Sequence, residues 1–189
     1  ITSRDAALAA LTPGIWGAIA ADEDGRADID GEVVRLADDE AEYDRVDGFL
    51  FLSSATWTDQ RQSLVASSLG QNPRPVLIAN ADLAAPRDDA FSLEPGHYGH
   101  LLADQGIADV RFFGKPYPDV YELVEQSLPG IPSDRIVMCG DSLHTDILGA
   151  AARGWRSVLV TQDGLFKGHS TEAYCNRSQI FPNWRLPRI

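Results

Sequence analysis

Short apolar runs alternate with stretches of helical periodicity along the chain, and this alternation constrains the fold more than any other feature. Continuous apolar runs are typical of strands buried on both faces, because a strand with one solvated face alternates apolar and polar residues. Strands that alternate with helices form a parallel sheet covered by helices. The sequence therefore predicts an α/β fold with strands over 15–20, 32–36, 48–53, 75–79, 109–113, 135–139 and 157–160.

Helices are predicted between these strands. An Ala/Leu-rich stretch predicts a first helix over 4–11, and Thr58 is a suitable N-cap for a helix over about 59–69. Further helices are expected over about 96–105, from Pro118 and from Thr145. The polar stretch 22–31 is predicted to be a hairpin or loop, and the tail from Gly168 to be a packed extension.

The composition narrows the classes of function. Sixteen basic residues against 28 acidic ones give a net charge of −12, so binding to nucleic acid or to an anionic membrane surface is not expected. No apolar run approaches the roughly 20 residues that span a bilayer. The two cysteines, Cys139 and Cys175, are too few for a disulfide framework or a zinc site. A cytoplasmic protein is therefore expected, with Cys139 as an inert thiol in the core.

Two strand ends carry the residues best suited to chemistry. The strand ending at Phe113 leads into Gly114-Lys115-Pro116, and the strand ending at Cys139 leads into the segment 140–146, which contains Asp141 and Asp146. Ligands of parallel sheets bind at the carboxyl ends of strands, so neighbouring strands would bring these side chains into one site. Carboxylates bind Mg²⁺ and an ammonium group offsets phosphoryl charge. With the positive end of the helix from Thr145, the set predicts a phosphate and metal site.

Each half of this pattern is weak alone. A Gly-Lys-Pro turn is common, and Asp and Ser are ordinary helix-capping residues. The conjunction is more specific, because both loops follow apolar strands, one helix separates them, and Asp141 and Asp146 flank a loop–helix junction.

These motifs resemble those of a known enzyme superfamily. Gly114-Lys115-Pro116, followed by Gly140-Asp141-Ser142-Leu143-His144-Thr145-Asp146-Ile147, resembles motifs III and IV of the haloacid-dehalogenase-like (HAD) hydrolases. The more specific similarity is to class IIA, the NagD-like or p-nitrophenylphosphatase-like group. The loop Asn80-Ala81-Asp82 resembles that group's Asn-Pro-Asp loop, with Ala81 in place of proline. The likeness extends over about 75–166.

The resemblance implies Mg²⁺-dependent hydrolysis of small phosphomonoesters through an aspartyl-phosphate. It implies that Lys115 steadies the nucleophile and the phosphate, and that Asp141 binds Mg²⁺ with support from Asp146. It also implies a Rossmann-like core and an inserted α/β cap domain, from which Asn80 and Asp82 reach a small phosphorylated metabolite. The corresponding division is 1–12 as the end of an N-terminal core segment, 13–107 as the cap and 108–189 as the C-terminal half of the core. A homo-oligomer is compatible with this expectation.

The superfamily's first motif, a strand followed by Asp-x-Asp, has two matches as strings. Asp22-Glu23-Asp24-Gly25 and Asp28-Ile29-Asp30-Gly31 share one polar stretch, and neither is expected to follow an apolar strand. The segment Ile1-Thr2-Ser3 resembles instead the end of the strand that follows motif II. The nucleophile is therefore expected in an N-terminal segment outside this sequence, and the 189-residue chain is expected to be inactive alone.

Other readings stay open. A degenerate relative could keep the HAD fold and bind phosphate or metal without catalysis. A phosphorelay receiver domain also uses Asp, Thr and Lys around Mg²⁺, but its lysine follows the phospho-accepting aspartate, whereas Lys115 precedes Asp141. His97 and His100 share a helix face, although two histidines alone do not make a metal site. His144 is expected to be exposed.

Overall fold

The computed structural model describes residues 1–21, 25–26, 28–87, 90–106 and 109–189, which form two compact units, Ile1–Gly114 and Lys115–Ile189. The predicted α/β class is confirmed, and each unit contains one parallel sheet. None of the helices in these ranges combines the length and apolarity that a bilayer crossing requires.

The first unit is built on a five-stranded parallel sheet in the order β2-β1-β3-β4-β7. A two-stranded antiparallel hairpin, β5–β6, lies between β4 and α4 in the sequence. Its elements are α1 (Ser3–Ala9), β1 (Ile15–Ile19), β2 (Glu32–Arg35), α2 (Glu40–Asp44), β3 (Gly48–Phe51), α3 (Asp59–Gln71), β4 (Val76–Ile78), β5 (Ala84–Pro86), β6 (Phe91–Leu93), α4 (Pro95–Gln105) and β7 (Val110–Phe112).

The central strands follow from the apolar runs. Every residue of β3 and β4 is buried, as expected for strands covered on both faces. Tyr43, Phe49, Phe51 and Leu69 are among the fully buried side chains of this core. Thr58 caps α3 as predicted, since its hydroxyl accepts a hydrogen bond from the amide of Arg61 at 3.2 Å.

The second unit has a three-stranded parallel sheet in the order β10-β9-β8. Its elements are α5 (Pro118–Gln126), β8 (Val137–Gly140), a π-helical turn (Leu143–Ile147), α6 (Leu148–Ala152), β9 (Arg156–Val160), α7 (Thr171–Ser178) and β10 (Trp184–Leu186). The tail predicted as an extension therefore contains a helix and a strand. Cys139 is exposed on β8, so its prediction as a core thiol is wrong. Cys175 is buried in α7.

The chain divides into its two compact units after Gly114, and β7 pairs with β4 in the first sheet. The predicted division into a cap over 13–107 and a core segment over 108–189 stays a prediction. Among the described residues, the strand before Lys115, β7, and the strand before Asp141, β8, belong to different sheets. Which unit is the cap and which the core stays a prediction.

The stretch between β1 and β2 is not a hairpin, because these strands pair in parallel. Asp28 and Asp30 precede β2, at the amino end of that strand, and Asp28 forms an ion pair with Arg4 at 2.7 Å. This is the opposite edge from the one where parallel sheets bind ligands. Asp22, Glu23 and Asp24 lie outside the described residues. The strand β1 is largely buried and ends three positions before Asp22. The expectation that neither Asp-x-Asp segment follows an apolar strand is therefore wrong for the segment that begins at Asp22.

Candidate functional site

Lys115 and Asp146 form the centre of the candidate site in the second unit. Nζ of Lys115 lies 2.6 Å from Oδ1 of Asp146, and the two side chains are 46% and 2% exposed, respectively. A buried carboxylate needs a partner, and the ammonium group supplies one while its other side faces solvent. The pair therefore holds the Lys115 ammonium group in one position at the surface of the unit.

Backbone groups complete the setting of Asp146. Its Oδ2 accepts a hydrogen bond from the amide of Ser142 at 3.1 Å. A Cβ atom on Gly140 would lie 2.1 Å from Cγ of Asp146, so only glycine at the end of β8 leaves room for this carboxylate. Both oxygens of Asp146 thus have protein partners, one charged and one neutral.

Asp141 occupies the loop that leaves β8, where it is half-buried. Its Oδ2 accepts a hydrogen bond from the amide of Leu165 at 3.0 Å, which ties the loop after β8 to the loop after β9. Gly164 has φ of +75°, and a Cβ atom there would lie 1.6 Å from this oxygen. The loops that follow two adjacent parallel strands therefore meet at Asp141, as expected for a site at the carboxyl edge of the sheet.

The turn that carries Asp146 differs from the prediction. Residues Leu143–Ile147 form a π-helical turn, and regular α-helix begins at Leu148 and has only five residues. The helix predicted from Thr145 thus begins as a π-helical turn at Leu143 and continues as α-helix to Ala152, and Lys115 adds an ammonium group next to this turn. Wide turns of this kind frequently occur at functional sites. His144 is exposed on this turn, as predicted.

The chemistry of the donor set fits Mg²⁺. In the described ranges, no group of three or more His, Cys, Asp or Glu residues could hold a metal ion. Mg²⁺ does not need one, because it is usually bound through one or two carboxylates with water and substrate phosphate oxygens. Asp141 and Asp146 are two such carboxylates next to β8. The metal roles predicted for both residues stay predictions.

Asn80 and Asp82 lie in the first unit, in the loop after β4. Oδ1 of Asn80 accepts a hydrogen bond from the amide of Asp82 at 3.0 Å, and Nδ2 donates to Oε2 of Glu94 at 3.4 Å. The start of α4 packs on the same loop, since a Cβ atom on Gly96 would lie 2.2 Å from the carbonyl oxygen of Ala81. The loop is thus held in one conformation, and its predicted role in substrate binding stays a prediction.

The histidines of α4 have packing contacts. His100 stacks on Phe112 with ring centroids 4.3 Å apart, and His97 packs edge-on against Tyr98. Trp57 is buried and donates from Nε1 to Gln62 at 2.9 Å. Each of His97, His100 and Trp57 thus has contacts within the first unit that account for its position.

Comparisons with known proteins agree with the motifs. Residues 112–183 match the family described as HAD-hydrolase-like. Among curated protein sequences, none matches the chain. A possible sugar phosphatase of the HAD superfamily from Cytophaga hutchinsonii is 20% identical with a TM-score of 0.80, and the alignment covers 100% of this chain and 70% of that one.

Two nitrophenyl phosphatases have the same fold. The p-nitrophenyl phosphatase from Archaeoglobus fulgidus is 16% identical with a TM-score of 0.74, over 98% of this chain and 69% of that one. The 4-nitrophenylphosphatase from Thermotoga maritima is 18% identical with a TM-score of 0.71, over 100% and 69%. The predicted resemblance is thereby confirmed: residues 112–183 match the HAD-hydrolase-like family, and the chain as a whole has the fold of HAD-superfamily phosphatases.

Proposed function

We propose that the protein is a Mg²⁺-dependent phosphatase of small phosphomonoesters. The observation that carries this proposal is the contact between Lys115 and the buried carboxylate of Asp146, with Asp141 in the loop between β8 and the π-helical turn. A fixed ammonium group suits the charge that develops on a transferring phosphoryl group, because it needs no reorganisation during the reaction. The names of the structural neighbours, which are sugar and nitrophenyl phosphatases, support the same reaction class.

The roles divide among the residues of the second unit. Lys115 binds and orients the phosphoryl group, and Asp146 fixes the position of the lysine through its 2.6 Å contact. Asp141 would hold Mg²⁺, with support from Asp146 as the resemblance implies. When bound, the metal would supply positive charge next to the phosphate oxygens.

The attacking carboxylate implied by the resemblance is assigned to no described residue. In the described ranges, Asp28 and Asp30 are the acidic pair that matches the first motif, and their place at the amino end of β2 does not suit a nucleophile. This observation favours the second candidate function, a protein that binds phosphate or metal at Lys115 and Asp141 without turnover. The expectation that the 189-residue chain is inactive alone stays part of this proposal.

Turnover of p-nitrophenyl phosphate tests the proposal. The assay uses the intact protein, which means this chain together with the N-terminal segment in which the nucleophile is expected. We expect phosphate release that requires Mg²⁺ and stops with a chelator. Asp141→Asn should lower kcat at least about 100-fold, because groups that stabilise charge in the transition state contribute on this order. The control, Asp134→Asn, changes an exposed aspartate in the short 3₁₀ turn before β8 and should have wild-type turnover.

The outcomes separate the two candidate functions. Mg²⁺-independent turnover, or wild-type turnover by Asp141→Asn, would contradict the proposed role of Asp141. Binding of inorganic phosphate without any turnover by the intact protein would favour the non-catalytic function. The substrate class proposed is a small phosphorylated metabolite, and a cytoplasmic location and a homo-oligomer stay predictions.

A further inference from the structure

Two hydrogen bonds connect the same two segments of the second unit. The first joins Lys115 to Asp146. The second joins Tyr121, in the first turns of α5, to the π-helical turn, since its hydroxyl donates to the carbonyl oxygen of Thr145 at 3.0 Å. Lys115 lies three residues before α5, and Thr145 directly precedes Asp146. The side chain of Tyr121 thus connects the segment of the lysine to the segment of the carboxylate.

The Tyr121 hydroxyl has little freedom to move. The residue is 2% exposed, and its ring packs edge-on against Trp155 with centroids 5.2 Å apart. A Cβ atom on Gly149 would lie 1.9 Å from the hydroxyl oxygen, so glycine at this position provides the space for it. Burial, with a smaller contribution from the negative charge of Asp146, raises the pKa of Tyr121. The hydroxyl therefore stays protonated and remains a donor.

The accepting carbonyl fixes the peptide group that leads into Asp146. The Thr145 carbonyl and the Asp146 amide belong to one peptide plane, which rotates as a unit. On one side of this plane Tyr121 binds the carbonyl oxygen, and on the other side the Asp146 amide donates to the carbonyl of Ser142 at 3.2 Å. The peptide is therefore held from both sides, and with it the direction in which the Asp146 side chain leaves the turn.

We propose that Tyr121 is a positioning residue that keeps Asp146, and through it Lys115, in the geometry required for phosphoryl transfer. The catalytic part of this role rests on the proposed function, whereas the positioning of Lys115 does not. Loss of the hydroxyl leaves the Thr145–Asp146 peptide held only through its amide, so the Lys115 ammonium group is held less firmly. A loosened contact of this kind can cost up to about 100-fold in rate.

The reactivity of the two lysines in the chain measures the positioning directly. Lys115 and Lys167 are its only lysines, and Lys167 is exposed in the loop before α7. Acetylation with a limiting amount of acetic anhydride, followed by peptide mass spectrometry, gives the Lys115 rate relative to Lys167 in the same molecule. We expect Tyr121→Phe to raise this ratio at least about threefold, because a free amine reacts faster than one held by a carboxylate.

Tyr43→Phe is the matched control. Tyr43 is fully buried in the first unit and also donates from its hydroxyl to a backbone carbonyl, that of Ala37 at 2.7 Å. A purely structural effect of losing a buried hydroxyl would appear in both variants as a lower melting temperature. Only Tyr121→Phe should also change the lysine ratio and lower kcat of the intact protein about tenfold, with KM within about twofold of wild type.

The two hypotheses fail in different ways. An unchanged Lys115 ratio in folded Tyr121→Phe overturns the positioning role, whether or not the protein is an enzyme. A raised ratio in a protein without phosphatase activity supports the positioning and contradicts the proposed function. Should Tyr121→Phe not fold, Gly149→Ala provides the second variant, since it keeps the hydroxyl but displaces it, and the same raised ratio is expected.

Discussion

The backbone of Gly164 lies directly against the carboxylate of Asp141, so close that a single Cβ atom there would be 1.6 Å from Oδ2. The neighbouring amide of Leu165 donates to the same oxygen at 3.0 Å. The loop after β9 therefore determines where the Asp141 carboxylate points, and a change in this loop should act on the site without replacing any of its charged groups.

We expect Gly164→Ala to lower kcat of the intact protein at least tenfold, in line with the roughly 100-fold that a misplacement of about 1 Å can cost. Gly168→Ala is a close control, because both glycines have positive φ, +75° and +80°, and nothing lies within 4 Å of a Cβ at Gly168. Each variant should lose roughly 1–2 kcal/mol of stability from backbone strain alone. Equal kcat values for the two variants would contradict the role of Gly164 in orienting Asp141.

Lys115→Ala should lower kcat at least about 100-fold, because it removes the ammonium group proposed to stabilise the charge of the phosphoryl group. The fold should be kept, since Asp146 retains its hydrogen bond from the Ser142 amide and water can replace the ammonium group at the half-exposed Lys115 position. Initial-rate kinetics and circular dichroism check the two statements. Lys167→Ala, at the other lysine of the chain, should leave both quantities unchanged, and an active Lys115→Ala would remove this residue from the mechanism.

The acidic limit of stability should depend on Glu125. This carboxylate accepts hydrogen bonds from Arg153 and from Nε1 of Trp155, and the guanidinium group of Arg153 lowers the pKa of Glu125 below its ordinary value of 4.5. A lowered folded-state pKa stabilises the protein above pH 4.5, and this contribution is lost as the pH falls through the folded-state value.

At pH 7, Glu125→Gln should therefore melt roughly 2–4 °C below wild type, a shift of the size that about 1 kcal/mol gives for a chain of this length. The difference should shrink as the pH falls from 4.5 through the lower folded-state pKa of Glu125, because below that pKa the wild-type carboxylate is protonated in both states. Thermal melts from pH 7 to pH 3 measure it. Glu172→Gln, at an exposed position of α7, is the control. A difference that is constant over this range would mean that the charge of Glu125 does not contribute.

Local sequence signals predicted the parts of the fold that depend on local physics. The apolar runs predicted β3, β4, β8 and β9, and the Thr58 hydroxyl predicted the start of α3. The hairpin β5–β6 was missed because each of its strands has only three residues, too few to show a periodic pattern, and β5 contains a proline. The helix α7 was missed because its mostly polar sequence has little apolar periodicity.

Pairing between distant segments could not be read from the sequence in the same way. The apolar run at β7 gave no sign that this strand joins β4 instead of β8, since strand order depends on long-range contacts. Lys115 and Asp146 were both identified, but their contact spans 31 positions.

The role of Tyr121 left only a weak signal. The residue belongs to the apolar stripe of α5, which indicates packing, and its acceptor is a backbone carbonyl. Every residue has such a carbonyl, so no particular residue type at position 145 reveals the bond.

Gly114 and Lys115 are adjacent in sequence, yet they end one compact unit and begin the next. Gly114 has φ of +98°, and a Cβ atom there would lie 2.9 Å from Cβ of Ser3, so this residue is constrained by its own backbone conformation and by the Ser3 side chain of the first unit. Lys115 is constrained by the charge of Asp146 in the second. Two adjacent residues of one short motif are thus constrained independently. Substitutions at the two positions should be harmful for unrelated reasons. At Gly114 the cause would be a strained main chain, and at Lys115 it would be the loss of an ammonium group.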